Sequence, residues 1–490
     1  MNRVTIYQGH VLGVLRGMED GSVHLVVTSP PYWGLRDYGL EPQIWGEALY
    51  SDGRPWPCKH EWRNQFCFTC GAWRGSLGLE PTIELYVEHL VEIFREVRRV
   101  LRKDGTLWLN MGDSYYGGGG AHKEHHANPG ISKSASRNGV PASRGERSPG
   151  KALTFIDGPN RSYQAGLKPK DLCMIPARVA LALQADGWWL RSQIIWSKPN
   201  PMPESVTDRP TTSHEYIWLL TKSAKYFYDA EAVREEVSGT AHPRQKKDGS
   251  PPSMDFKMQE AGSGNRNNPS FQSYMKDLPP ERGRNLRSVW EIATAPFPEA
   301  HFATFPPAIP ERCIKAGTSE KGCCPRCGVP WVRVVEKGKS TYAKIKEEQG
   351  ISWSDMQAVA EDRGTALKAG NPACGSTRNK DGSAPHLEPA ETTTLGWRPG
   401  CKCFDFSGCR FPPLKNGVVP DGAFMDLPEA IPVPCAVLDP FLGAGTTCLV
   451  AAKLGRDSKG IELSPDYVDM DCHRLKAELG MLVEIEVNKK

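Results

Sequence analysis

The sequence predicts an α/β protein built on a doubly wound, mostly parallel sheet. Three observations carry that expectation. Val23-His24-Leu25-Val26-Val27 is a short apolar run, rich in β-branched residues, that stops at the turn residues Thr28 to Gly34. Leu85, Leu90, Phe94, Val97 and Leu101 then repeat at helical spacing before a second apolar run, Thr106 to Asn110. Near the C-terminus, Ala436 to Asp439 passes through a glycine-rich turn into a helical stretch, Thr446 to Leu454, and Lys459 to Glu462 begins another strand. Strands separated by helices need crossover connections, which make neighbouring strands parallel.

Taken in order, residues 1–38 read as a strand, a helical stretch and the buried strand at Val23. Lys103-Asp104-Gly105 is expected to end the helix that follows. From Gly117 to about Lys170 the pattern disappears into glycine, histidine and Ser/Arg/Pro punctuation, which predicts a loop. A helix over 177–185 and a strand over 188–196 restore order. Residues 236–285 are again polar and Gly/Pro/Asn-rich, and 320–430 carries cysteine pairs around a polar middle. The 48 glycines and 41 prolines of the 490 residues agree with long loops grafted on a core. No internal repeat is visible.

Lys and Arg (61) nearly balance Asp and Glu (57), so any nucleic-acid footprint must be a local patch. There is no apolar run long enough to span a membrane and no apolar signal core at the N-terminus, which predicts a soluble, cytoplasmic protein. Fifteen cysteines in a reducing compartment, mostly in close-spaced groups, point to zinc before disulfides.

Asp439-Pro440-Phe441-Leu442-Gly443-Ala444-Gly445-Thr446 joins a strand to a helix. Glycines there let backbone approach a ligand, and the helix start offers free N–H groups. Glu462, at the end of the next strand, can take two ribose hydroxyls. A dinucleotide site would ask for a third glycine, which Thr447-Cys448 does not supply, so a nicotinamide oxidoreductase is disfavoured.

Thr28-Ser29-Pro30-Pro31-Tyr32-Trp33 is the most specific string. Two prolines stiffen the backbone so that the Ser29 hydroxyl and a backbone carbonyl can accept from one amino group, while Tyr32 offers a face for a flat base. This string resembles the catalytic motif of the DNA amino-methyltransferases, and Asp439 to Thr447 resembles their S-adenosylmethionine loop. Catalytic motif first and cofactor motif last is the permuted order of their beta class. Leu107 to Ser114 is similar to that class's strand and turn after the catalytic helix, and Trp196-Ser197-Lys198-Pro199-Asn200 to its base-pocket segment. His301 to Pro306 with Pro310-Glu311-Arg312 is similar to its cofactor-contacting segment. The resemblance covers roughly 1–116, 168–230, 286–319 and 434–480, and residues 320–430 intervene where simpler relatives run on directly.

The resemblance implies an S-adenosylmethionine-dependent methyltransferase fold with a seven-stranded-type sheet, on which composition and cysteine spacing add loop insertions and zinc knuckles. It implies methyl transfer to the exocyclic amine of a flipped base in double-stranded DNA, with Ser29, Pro30, Pro31 and Tyr32 as the catalytic motif. Asp439, Pro440, Phe441, Gly443, Gly445, Thr446, Glu462 and Phe305 would serve the cofactor; Trp33, Trp196, Lys198 and Asn200 would form the base pocket. Ser at the first motif position favours cytosine N4, because family members acting on adenine N6 usually have Asp there. Adenine N6, an RNA substrate and a zinc-knuckle DNA-binding protein with an inactive core remain alternatives. Carbon-5 methylation would need a thiolate; Pro434-Cys435 resembles that nucleophile superficially, but Cys435 opens the strand to the cofactor turn and reads as a core residue. Such enzymes often work beside a cognate restriction endonuclease. Oligomeric state is not legible.

Cys324-Pro325-Arg326-Cys327 with Cys401-Lys402-Cys403, and Cys58, His60, Cys67 and Cys70, each supply four ligands suited to structural zinc. Cys323 and Cys409 are substitutes in the first group. A basic run, Lys133, Arg137, Arg144, Arg147, Lys151, Arg161, Lys168 and Lys170, suits phosphate contact. Arg282, Arg284 and Arg287 are candidate target readers. These readings divide the chain into a catalytic half (1–116, Cys/His insert 56–72), a basic loop (117–167), a core continuation with the base pocket (168–230), a target-recognition region (231–290), a cofactor-contacting segment (291–319), a cysteine-pair insertion (320–430) and a cofactor half (431–490). The insertion is expected to loop out from the core.

Overall fold

A computed structural model describes residues 2–35, 37–46, 58–116, 166–235, 284–295, 305–337, 392–480 and 483–489. The basic run from Lys133 to Arg161, the proposed reader Arg282 and the segment His301–Thr304 lie outside them. A nine-stranded sheet forms the centre, two strands more than expected. In chain order its strands are β1 (Asn2–Gln8), β2 (Val23–Thr28), β7 (Leu101–Met111), β8 (Trp189–Ser197), β9 (His214–Thr221), β10 (Val289–Glu291), β13 (Ala436–Asp439), β14 (Asp457–Glu462) and β15 (Val483–Lys489). The spatial order is β10-β8-β9-β7-β2-β13-β14-β1-β15. Pairing is parallel except where β9 runs against β7 and β8. The extra strands sit at the edges: β10 is three residues long, and β15 extends β1.

Helices cover both faces, as a doubly wound sheet requires. On one face α1 (Val11–Arg16), α2 (Ile83–Val100) and α3 (Ile175–Ala185) bury Leu15, Leu90, Phe94 and Leu183 in a core shared with Val26 and Leu107. The other holds α4 (Ala308–Gly317) and α5 (Thr446–Lys453), whose Ile309, Ile314 and Val450 meet Leu25, Trp108 and Trp290. The last helix, α6 (Pro465–Leu479), packs beside α5 and β1 through Val468 and Leu475. Thr82 caps α2 by accepting from the Leu85 N–H at 3.2 Å. The helix ends at Val100 and Lys103-Asp104-Gly105 already belongs to β7, against the sequence expectation. Gly105 allows this, because a Cβ there would lie 2.8 Å from the His24 carbonyl of the neighbouring strand.

The centre of the sheet joins the two ends of the chain. β2 pairs with β13 through Val437–Leu25 and Leu438–Val26. The strand order reverses there, and crevices at such switch points, beyond the carboxyl ends of the strands, are where open α/β sheets bind ligands. Asp439, at the end of β13 and 1% exposed, accepts from Thr28 Oγ1 at 2.6 Å, Thr447 Oγ1 at 2.7 Å and the Phe441 N–H at 3.0 Å. One carboxylate therefore ties the proline turn to the glycine turn. Burial pushes its pKa up to about 6 despite these donors.

The described parts of the insertion, 320–337 and 392–430, do not stand off from the core. Its strands β11 (Val332–Lys337) and β12 (Thr392–Arg398) pair antiparallel, which brings the two cysteine pairs together. Cys323 and Val433 exchange backbone hydrogen bonds at 2.8 and 3.0 Å. The His24 ring on β2 bonds the Gly328 carbonyl at 2.7 Å, and Arg102 on β7 donates to the Cys327 carbonyl at 2.9 Å. The knuckle is thus hooked to two central strands. The Cys/His insert contributes β4 (Trp62–Arg63) and β5 (Phe66–Cys67) to a separate four-stranded sheet with the flanking β3 (Gln43–Trp45) and β6 (Trp73–Gly75).

Asp439→Ala strands two buried hydroxyls and one N–H. With bonds to charged groups worth ~1.5–3 kcal/mol each and partial relaxation, the expected loss of unfolding free energy is about 3 kcal/mol in urea denaturation. A loss below about 1 kcal/mol would show that Asp439 does not join the halves.

Candidate active site

The carboxyl ends of β2, β7, β13 and β14 open into one cavity of about 560 Å³. Its walls include Pro440, Phe441, Gly443, Thr446 and Glu462 at one end and Ser29, Pro30, Pro31 and Tyr32 at the other, with Phe305, Trp196 and Lys198 also lining it. Twelve residues singled out in the sequence, more than 400 positions apart at the extremes, share this space.

The glycine end is built on backbone conformation. Gly443 and Gly445 have φ of 56° and 69°, which other residues rarely adopt. A Cβ on Gly445 would also lie 2.8 Å from Asp471 Oδ1. Glu462 accepts from the Gly443 N–H at 3.0 Å and the Ser464 N–H at 2.8 Å, so its carboxylate is fixed at the cavity wall. Burial, opposed by those N–H groups, leaves its pKa at about 7. Asp471 lies behind the turn on α6, and burial together with the neighbouring Glu462 pushes it up to about 9. A cradle lined by Gly443 beside a buried carboxylate fits a ribose and its neighbouring groups. Gly445 and Asp439 shape this end from behind and do not line the cavity.

The proline end is held from three sides. Tyr86 donates to the Pro31 carbonyl at 2.8 Å, so that carbonyl is occupied. Trp33 is fully buried and its indole N–H donates to the Glu80 carbonyl at 2.9 Å. This corrects its assignment to the base pocket: Trp33 is a core anchor of the turn, facing away from the cavity that Tyr32 lines. The Tyr32 ring packs on Gly112, where a Cβ would approach it to 2.8 Å. Asn200 is also corrected. It is exposed and exchanges bonds with the Thr294 backbone, steadying a lining segment from outside.

Two residues missed in the sequence complete this end. Glu215 is the second residue of β9 and Asn110 lies near the end of β7; both line the cavity. Glu215 Oε2 accepts from Tyr32 Oη at 2.8 Å and Asn110 Nδ2 at 2.9 Å, while Oε1 pairs with Lys198 Nζ at 2.5 Å. Asn110 Nδ2 also reaches Tyr32 Oη at 2.9 Å, and Ser29 Oγ donates to the same oxygen at 3.1 Å. Burial and the nearby Glu215 raise the Tyr32 pKa well above its ordinary value, so the phenol stays neutral. Lys198 rests over the Trp196 ring at 4.4 Å. A carboxylate beside the apolar run Tyr216 to Leu220 was the available signal for Glu215.

The cysteine groups assemble as their spacing suggested. In Cys58, His60, Cys67 and Cys70, and in Cys324, Cys327, Cys401 and Cys403, the ligand atoms of each group lie within 4.8 Å of one another. The sulfurs of Cys58 and Cys67 are 3.6 Å apart, and Cys70 Sγ is 3.5 Å from His60 Nδ1. Tetrahedral zinc with Zn–S of about 2.3 Å requires edges of about 3.8 Å, so both groups fit. Cys409 is buried in a separate apolar cluster with Trp331 and Phe406. Cys323 lies instead beside His24 and Cys435. His24 uses both ring nitrogens on backbone, accepting from the Ala436 N–H and bonding the Gly328 carbonyl, which makes it a clamp. Cys435 is 1% exposed and outside the cavity lining, in keeping with a core role. Arg284 and Arg287 both pair with Glu235, at 3.1 and 2.8 Å. No helix among the described residues is long and apolar enough to cross a membrane.

Comparison with known proteins agrees with this geometry. A family model described as DNA methylase matches residues 23–324 and 436–471, which bracket the insertion. The Type II methyltransferase M.Cfr9I of Citrobacter freundii is 38% identical over 321 residues, 65% of this chain and 74% of that enzyme. M.XycI of Xanthomonas campestris pv. cyanopsidis is 39% identical over 320 residues, 64% and 72% of the two chains. The solved PvuII DNA methyltransferase, a cytosine-N4-specific enzyme, aligns over 100% of this chain and 95% of its own at 12% identity and a TM-score of 0.41, a likeness too weak to bear on function. With both motif turns inside the matched segments, the chain belongs to the N6/N4 DNA methylase family and is an S-adenosylmethionine-dependent DNA methyltransferase.

Proposed function

We propose that the protein methylates the exocyclic N4 amine of cytosine in double-stranded DNA. The observation that carries this reading is the single cavity with Glu462 and the glycine turn at one end and Ser29 at the other. S-adenosylmethionine supplies an electrophilic methyl group when bound. Glu462 takes the ribose hydroxyls, Gly443 and the start of α5 approach the rest of the molecule, and Phe305 and Phe441 form apolar walls.

An exocyclic amine is a poor nucleophile because its lone pair is delocalised into the ring. Accepting its hydrogens concentrates that pair on nitrogen, and fixed acceptors do so without reorganising. Ser29 Oγ spends its hydrogen on Tyr32 Oη and keeps its lone pairs for the amine. The Pro31 carbonyl is taken by Tyr86, which leaves the Pro30 carbonyl as the second acceptor of the turn. Tyr32, braced on Gly112, offers its ring to a base that has left the stack. Serine at the head of the motif favours cytosine over adenine. The Type II relatives favour a place beside a cognate restriction endonuclease in a cytoplasmic restriction–modification system.

Zinc in both cysteine groups serves structure, because each group offers four protein ligands and no open position. Elemental analysis is expected to find two zinc ions per chain, one for each group. A chelator should lower the melting temperature, and less than one ion per chain would reject the assignment.

The two ends of the cavity give opposite kinetic signatures. Ser29→Ala is expected to cut turnover by on the order of 100-fold with S-adenosylmethionine affinity retained. Glu462→Gln should weaken cofactor affinity roughly tenfold or more, as expected for losing charge-assisted bonds. Glu462 has its pKa at about 7, and only the carboxylate accepts from two hydroxyls. Cofactor affinity should therefore fall as pH drops through 7 and level off above it. Asp471, neutral up to about 9, and Asp439, at about 6, flank the group without reversing this sign. The pH dependence should vanish in Glu462→Gln, and its persistence there would assign it to another group.

A further inference from the structure

Asn110 is 3% exposed and lines the base end of the cavity, yet its Oδ1 has no hydrogen-bond partner among the described residues. The orientation of this amide is settled by its neighbour. Glu215 as a carboxylate only accepts, so the edge of Asn110 that meets it at 2.9 Å must be the NH₂. Lys198 at 2.5 Å pairs with Glu215 and holds it in place. Oδ1 is consequently the edge left over, a buried acceptor held by a Lys–Glu–Asn chain. A buried carbonyl without a donor is rare, and at a cavity wall it marks where a ligand's donor belongs.

The pairing edge of cytosine or adenine carries one donor group, the exocyclic amine; its other polar atoms accept. We infer that Asn110 Oδ1 accepts from the target amine together with the Ser29–Pro30 turn, one of the two amine hydrogens being shared between two of these acceptors, and that Glu215 and Lys198 are positioning residues that aim it. This rests on the function proposed above and adds a substrate-contacting residue from β7 to a site otherwise built from the proline turn. It also gives the Glu215–Lys198 ion pair a role: fixing the polarity of one amide.

The test uses the full-length protein, PCR-amplified and hence unmethylated genomic DNA, and labelled S-adenosylmethionine. Wild-type incorporation is the control for the proposed function; its absence would overturn that reading and this inference with it. Given active wild type, Asn110→Ala is expected to lower turnover by on the order of 100-fold with cofactor affinity unchanged. Asn110→Asp sets a carboxylate against Glu215 and should fail likewise. The double variant Asn110→Asp/Glu215→Gln reverses donor and acceptor, keeps an oxygen facing the cavity, and should recover at least about tenfold of the turnover lost by Asn110→Asp alone. On a duplex carrying the mapped target site, Asn110→Ala should weaken binding of the normal base but not of an analogue lacking the amine. Normal turnover in Asn110→Ala, a parallel loss of cofactor affinity, or equal weakening for both duplexes would each overturn the inference.

Discussion

The structure depends on one buried carboxylate. Asp439 sits where the first buried strand of the chain meets a strand more than 400 residues later, and it accepts from Thr28, Thr447 and the Phe441 N–H. Thr28 immediately precedes Ser29, and Thr447 belongs to the helix that follows the glycine turn. The distance between the two turns is thus set by hydrogen bonds to a single side chain, which on the proposed function would leave little slack between methyl donor and acceptor. That rigidity suits an in-line transfer, which loses rate steeply with small displacements. The insertion strengthens the same region from behind, since His24 and Arg102 bind its knuckle backbone from the two strands beside the switch point.

The two ends of the cavity are built by different physics. At the glycine end, positive φ and N–H groups create room and fix one carboxylate, so sequence alone sets most of its shape. At the base end, shape comes from a network in which Ser29, Tyr32, Asn110, Glu215 and Lys198 constrain one another. Such a network holds lone pairs and hydrogens in fixed directions, and each member's usefulness depends on the next.

Much of this was legible in the sequence. Punctuation by Pro-Pro and Gly-Ala-Gly marks strand ends, and strand ends in a parallel sheet fall on one edge, so both turns and Glu462 could be placed together. The cysteine pairs were legible for the same local reason, although only the β11–β12 hairpin explains how distant pairs meet. Orientation was not legible. Trp33 follows Tyr32 directly, but adjacent residues on a turn point in opposite directions, and the indole fills the core. Glu215 escaped notice because β9 is the antiparallel strand: its first residues, not its last, reach the site. Asn110 read as an ordinary strand residue because nothing local distinguishes a spent amide from one with an acceptor in reserve.

The proposed reaction is methyl transfer to an exocyclic base amine. Mass spectrometry of nucleosides from unmethylated DNA incubated with the protein and labelled S-adenosylmethionine measures that directly. Labelled N4-methylcytosine is the predicted product. Labelled N6-methyladenine would contradict the choice of base made from Ser29, and label at cytosine carbon 5 would contradict the site itself.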